Sequence, residues 1–264
     1  VQTCALPILN PQEKQVTFIA SQFTNDYMVK VDAHSSSPVF MEEQRSLAFE
    51  LFDRQIIDGD AVPTSHVVLC AGALRTPGLL QASGLHADAG EGLQNHPTVS
   101  FTFDREDEDH GVFDAAVVSD IDVDGATGLL VAYERESSVR PGRGLVTVSL
   151  MDPVSRGHVR GTEVDFNLLG DERDAQAMEL LVQRATDVLH GMGVRDFVRS
   201  GVHPVSHPTS SCARIVDARG RVDGCANVTI ADASVLAHVP RETPAASVTI
   251  EALRIARLLG EELA

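Results

Sequence analysis

Val67-Val68-Leu69-Cys70-Ala71-Gly72-Ala73-Leu74-Arg75-Thr76-Pro77-Gly78-Leu79-Leu80-Gln81-Ala82-Ser83-Gly84 carries the fold class of this chain. Val67–Cys70 is a continuous apolar run, the pattern of a strand buried on both faces. It stops at Ala71-Gly72, where a missing side chain permits close backbone approach. Thr76-Pro77 reads as an N-cap followed by proline at the first helical position. Leu79, Leu80 and Ala82 supply an apolar surface, and Gly84 is placed to end the helix. Strand, glycine turn and helix in succession predict the edge of an α/β nucleotide-binding domain.

Upstream, Val16–Ile19 and Tyr27–Val31 read as short strands, followed by a polar, irregular stretch over 34–64. Downstream the texture changes. Val99–Phe103, Val112–Val118, Gly128–Tyr133, Leu145–Leu150 and Val164–Leu168 are β-rich, and Asp104–Asp109 reads as a charged turn. Strands in series with no helix between them predict an antiparallel sheet. From Glu172 to Gly191, Ala175, Met178, Leu181, Val182, Ala185, Val188 and Leu189 recur at helical spacing and are expected in the core. A second amphipathic helix closes the chain. The fold class is therefore mixed, an α/β remnant joined to an antiparallel-sheet unit with flanking helices.

The chain has 264 residues and is 43% hydrophobic, enough for one large domain or parts of two. No apolar run approaches the roughly 18 residues that a membrane span needs. The net charge of −17 argues against nucleic acid and anionic membrane as partners. Cys4, Cys70, Cys212 and Cys225 lack paired metal-binding spacing, so no metal site and a reduced, cytoplasmic setting are expected. Val1–Ile8 matches the conceptual translation of a sequencing-library adapter and is set aside as foreign to the fold.

His207 is the residue best suited to chemistry. It stands in Ser206-His207-Pro208-Thr209-Ser210-Ser211-Cys212, and an imidazole exchanges protons near neutrality. A loop histidine alone is more often only hydrogen-bonded or exposed. Its neighbourhood changes that balance. Asn227-Val228-Thr229-Ile230-Ala231-Asp232-Ala233-Ser234 reads as a buried strand ending in a turn, and Ala89-Gly90-Glu91-Gly92-Leu93-Gln94-Asn95-His96-Pro97 is a second compact block.

Together with Ala71–Gly84, these motifs resemble the glucose–methanol–choline (GMC) family of FAD-dependent oxidoreductases, over roughly residues 65–262. The resemblance implies FAD as cofactor, with Ala71, Gly72, Asn95, Asp232 and Ala233 lying near it. It implies that His207 is the general base that takes the proton of a substrate hydroxyl as hydride leaves for the flavin. It also implies oxidation of a small-molecule alcohol or related CH–OH donor, with an electron acceptor left open. Met151-Asp152-Pro153-Val154-Ser155-Arg156-Gly157 resembles a turn of the family's substrate domain.

Departures from the family pattern are equally specific. Serines replace its usual glycine and threonine after His207, and Ala213-Arg214 replaces its usual basic residue, methionine and glycine. Gly92 replaces an asparagine and Asn95 an aspartate. Ala245 falls where the family carries its second catalytic histidine or asparagine, unless His238 or His203 takes that role. No G-x-G-x-x-G follows a strand anywhere in the chain, although that turn anchors a pyrophosphate on a helix N-terminus.

The chain is accordingly expected to be the C-terminal portion of a longer flavoenzyme. Residues 9–97 would be the last part of the FAD domain, 98–200 the substrate domain, and 201–264 the catalytic segment returning to the FAD domain. The alternative is a non-catalytic fragment or degenerate member acting as a binding module. A hydrolase using Ser210, Ser211 or Cys212 with His207 lacks a G-x-S-x-G elbow and crowds nucleophile and base onto one loop. A metal site from His203, His207 and Cys212 would want a helix that Pro204 and Pro208 disfavour.

Overall fold

The computed structural model describes residues 16–20, 66–104, 115–133 and 143–263. Residues 1–8, the expected strand Tyr27–Val31, the stretch over 34–64 and nearly all of the charged turn Asp104–Asp109 lie outside them.

Strand β1 (Val16–Ala20) and β2 (His66–Cys70) pair in parallel, and β11 (Val228–Ile230) lies parallel on the other side of β2. The apolar run of β2 is thus a central strand, with Val68, Leu69 and Cys70 each under 5% exposed. Helix α1 (Thr76–Ala82) follows the glycine turn as expected, with one correction at its start. Arg75, not Thr76, is the N-cap, and Thr76 is the first helical residue. Its hydroxyl donates instead to the Asp232 carboxylate, 2.5 Å away. The end matches the expectation: Gly84, at φ +65°, donates to the Gln81 carbonyl while Leu85 N donates to Leu80 O. That pair of bonds is the Schellman closure.

β4 (Thr98–Asp104), β5 (Ala115–Asp120), β6 (Thr127–Tyr133), β7 (Arg143–Leu150) and β10 (Val198–Arg199) form an antiparallel sheet in the order β10-β4-β7-β6-β5. Strict alternation puts Val99, Phe101 and Phe103 of β4 and Val146, Val148 and Leu150 of β7 in the core. Helix α2 (Glu172–Gly191) covers that face with Ala177, Met178, Leu181, Ala185 and Leu189. The helix spans the expected residues, but its buried stripe is turned slightly. Ala175 and Val188 are exposed, while Ala177 and Asp174 are buried. Close approach at Gly128 helps to set that rotation, since a Cβ there would stand 2.2 Å from Leu181 Cδ2.

Asp174 is fully buried because it accepts from Val154 N and Ser155 N, at 2.9 and 2.7 Å, and from Arg173. It locks the first turn of α2 onto the Met151–Gly157 turn.

The segment expected as a strand over Val164–Leu168 is a second correction. Only Glu163–Asp165 (β9) is extended, and it belongs to a separate sheet, β3-β8-β9, with β3 (Glu91–Leu93) and β8 (Gly157–Arg160). Asn167 turns the chain at φ +44°, which ends the strand before Leu168. Helix α3 (Ala245–Leu263) closes the chain as expected.

The mixed fold class holds: a parallel sheet with antiparallel sheets and flanking helices. One glycine ties β8 to the Ser211 end of the His207 loop, its carbonyl accepting from Val159 N and its amide donating to Ser211 O. Gly90 sits at φ +102°, and a Cβ there would stand 2.0 Å from the Val159 carbonyl oxygen. Gly90→Ala is expected to cost on the order of 3 kcal/mol, combining backbone strain with overpacking, read as a lowered urea midpoint at unchanged slope.

Candidate active site

The carboxyl ends of β2 and β11 lie side by side, and the expected cofactor residues gather there. Asp232 Oδ2 accepts from Gly72 N at 2.9 Å and from Thr76 Oγ1, while its Oδ1 accepts from Ser234 N at 2.8 Å. The loop that carries His207 is laced across the same place. Ser210 N donates to Ala233 O at 3.1 Å, Cys212 N to Ser234 O at 2.9 Å, and Ser211 Oγ to Ala73 O at 2.6 Å. Ser210 adopts φ +73°, a backbone conformation that favours glycine, and is held there fully buried. Ala71, Gly72, Asp232 and Ala233 are therefore brought together with the His207 loop.

Asn95 is placed behind this loop. Its Nδ2 donates to Val205 O at 2.6 Å, and its Oδ1 accepts from His96 N at 2.8 Å and Val205 N at 3.3 Å. It clamps the loop to the 94–98 segment. The clamp is extended by bridges that pair Gln94 with Thr209 and Thr98 with His203.

The group that meets His207 directly is His96. The two Nδ1 atoms are 3.0 Å apart, and the rings meet edge to face, 88° between planes. His96 is 1% exposed, and its Nε2 is 2.9 Å from the Pro240 carbonyl oxygen. The sequence assigns His96 no role; its one local signal is a second histidine beside Asn95. Burial holds the His207 pKa down to about 4, with His96 adding to the effect. His96 is also lowered, chiefly by burial, against the opposing pull of the Pro240 and Met151 carbonyls. Both imidazoles are neutral near pH 7.

Ala245 opens α3, is exposed, and offers no side-chain hydrogen bond. Neither histidine considered as its replacement bonds to His207. His238 Nδ1 accepts from Arg156 at 2.8 Å, and His203 Nε2 pairs with Ser100 Oγ at 3.0 Å. The hydroxyls and thiol of the hydrolase alternative are also directed elsewhere. Ser210 Oγ donates to Thr209, Ser211 Oγ to Ala73, and burial pushes the Cys212 thiol up to about 12. Among the described residues, no cluster of three or more His, Cys, Asp or Glu could hold a metal ion, and no helix is long and apolar enough to cross a membrane.

The family description "GMC oxidoreductase" matches this chain twice, its N-terminal part at residues 43–98 and its C-terminal part at 153–252. Comparison with curated protein sequences gives no match. Among solved structures, pyridoxine 4-oxidase from Mesorbium loti is similar at 20% identity and TM-score 0.54, over 73% of this chain and 51% of that one. A variant of formate oxidase from Aspergillus oryzae RIB40 gives 16% and 0.56, over 75% and 54%. A fungal aryl-alcohol oxidase gives 16% and 0.53, over 75% and 55%. The chain spans about half the length of these structures.

The histidine pair, His96 buried and His207 half-buried, sets a pH dependence. The folded state resists protonation of His207, so the unfolded chain takes up that proton first as pH falls. The stability gained by keeping His207 neutral is complete above about pH 6.5. It is lost progressively toward pH 4, the folded value, and His96 acts in the same sense. Urea midpoints should fall across that window, and His207→Gln should flatten the decline. An equal slope in wild type and variant would contradict the burial assigned to His207.

Proposed function

Because this chain belongs to the GMC oxidoreductase family, whose cofactor is FAD, we propose that it oxidises a CH–OH donor to a carbonyl with His207 as the general base. The observation that carries this reading is a neutral histidine on a loop tied to the carboxyl ends of two parallel strands. Ligands of open α/β sheets bind in that crevice.

The residues present fit a flavin edge there. Gly72 lies at the end of β2 at φ +82°, and a Cβ added to it would meet no atom within 4 Å. Ala71, Gly72, Asp232 and Ala233 would lie along the cofactor, with Asn95 supporting the loop from behind. The G-x-G-x-x-G turn that cradles a pyrophosphate is not among the 264 residues. FAD, when bound, supplies the acceptor for two electrons as hydride.

This chain's own contribution is proton management. His207 accepts the hydroxyl proton while the carbinol C–H bond breaks and C=O forms, because an alkoxide gives up hydride far more readily than an alcohol. With a pKa of about 4, the base stands free of protons throughout the neutral range. It is also a weak base, so the proton it accepts is readily passed on. The division into 9–97, 98–200 and 201–264 belongs to the same proposal. β11 returns from the third segment to β2 in the first, and the antiparallel sheet draws all five of its strands from the second, with β10 at one edge.

A second reading, a binding module without turnover, is favoured by the exposed Ala245 where the family carries a polar group. One experiment separates the two. Stopped-flow mixing of flavin-loaded protein with a panel of primary and secondary alcohols should bleach the flavin. His207→Ala should slow that bleaching by roughly 10² to 10⁴ while flavin absorbance stays bound. Unchanged bleaching in His207→Ala would remove His207 from the mechanism, and no bleaching by wild type would favour the binding module.

A further inference from the structure

We propose that His96 is a positioning residue that fixes which nitrogen of His207 acts as the base, through a relay that starts at the Pro240 carbonyl. This rests on the reading of His207 as general base.

The argument is one of donors and acceptors. A carbonyl oxygen can only accept, so the 2.9 Å contact between His96 Nε2 and Pro240 O requires a proton on His96 Nε2. In a neutral imidazole the other nitrogen is then an acceptor. His96 Nδ1 presents its lone pair to His207 Nδ1, 3.0 Å away, and that bond requires a proton on His207 Nδ1. His207 Nε2 is left with its lone pair exposed and, among the described residues, has no hydrogen-bond partner. The protons are therefore set in one direction: Pro240 O accepts from His96 Nε2–H, and His96 Nδ1 accepts from His207 Nδ1–H. The nitrogen left open is the one that can take a substrate proton. Burial, which keeps both rings neutral, sustains this arrangement.

The scaffold around the relay explains why it holds. Pro240 is fixed from both sides: Val239 N donates to Gln94 Oε1 at 3.0 Å, and Arg241 pairs with Asp152 at 2.9 Å. Asn95 holds the other end by clamping Val205, two residues before His207. Pro240 lies on the segment leading to Ala245, so that segment reaches His207 through a backbone carbonyl and His96 rather than through a side chain at 245.

The test reads the tautomer directly. In ¹⁵N-histidine-labelled, flavin-loaded protein, two-bond ¹H–¹⁵N correlation should show His207 Nδ1 as the protonated, pyrrole-like nitrogen and Nε2 as the pyridine-like one. His96→Phe, which removes the acceptor, should shift His207 toward the Nε2–H form and slow flavin reduction by about one to two orders of magnitude. His96→Asn places an amide oxygen near the lost Nδ1, and it should restore both the tautomer and most of the rate. A wild-type His207 protonated on Nε2 would overturn the proposal without need of any variant. So would His96→Phe retaining the wild-type tautomer, whatever its rate. Should His207→Ala reduce flavin normally while the tautomer shifts as described, the relay would stand and the general-base reading would fall.

Discussion

A single buried carboxylate holds the two ends of this molecule together. Asp232, 3% exposed, receives the Gly72 amide, the Thr76 hydroxyl and the Ser234 amide, two of them from about 160 residues away. Removing one partner of such a bond leaves a buried polar group stranded, at a cost of about 1–3 kcal/mol each. Three donors converge on Asp232, so its loss would strand several at once. Its position also sets the path of the His207 loop, because Ser210 and Cys212 bond to the carbonyls of Ala233 and Ser234, just beyond it. The His207 loop is thus built on the cap of a one-turn helix (Ala233–Val235) rather than on a free surface turn.

Three consecutive residues complete the cage. Gln94 binds the Pro153 carbonyl and the Val239 amide, Asn95 binds Val205, and His96 binds Pro240 and His207. Together they join three remote segments, the Met151–Gly157 turn, the His207 loop and the Val239–Pro240 stretch, and each is at most 2% exposed. The Met151–Gly157 turn sits at the far side of this cage. Asp152 accepts from Thr127 N and pairs with Arg173 and Arg241, which links the antiparallel sheet, helix α2 and the Pro240 segment.

Most of the fold was legible because it obeys simple periods. The all-apolar run of β2, the alternation of β4 and β7, and the span of α2 all follow from side-chain periodicity. What periodicity could not reveal was competition for a donor. Thr76 looks like an N-cap until Asp232, remote in sequence, takes its hydroxyl. Asn167 ends an apolar-looking strand early by turning at positive φ. Within the site, His207 was legible from its motif. His96 was not assigned, because its role depends on a carbonyl 144 residues away, and no local pattern encodes that distance. Asn95 was expected beside the cofactor, and its hydrogen bonds brace the His207 loop at Val205.

The parallel sheet has a consequence for how the chain comes off the ribosome. Its middle strand, β2, is synthesised about 160 residues before β11, which contributes Val228 and Ile230 to the same apolar cluster as Leu69. The antiparallel sheet and α2 close over local contacts that are complete well before then. Synthesis therefore yields a nascent chain whose middle can already be compact while β2, apolar and unpaired on one edge, waits for its neighbour. An unpaired apolar edge of that kind is a template for pairing with another chain, so the interval between translating Cys70 and Ile230 leaves β2 open to aggregation.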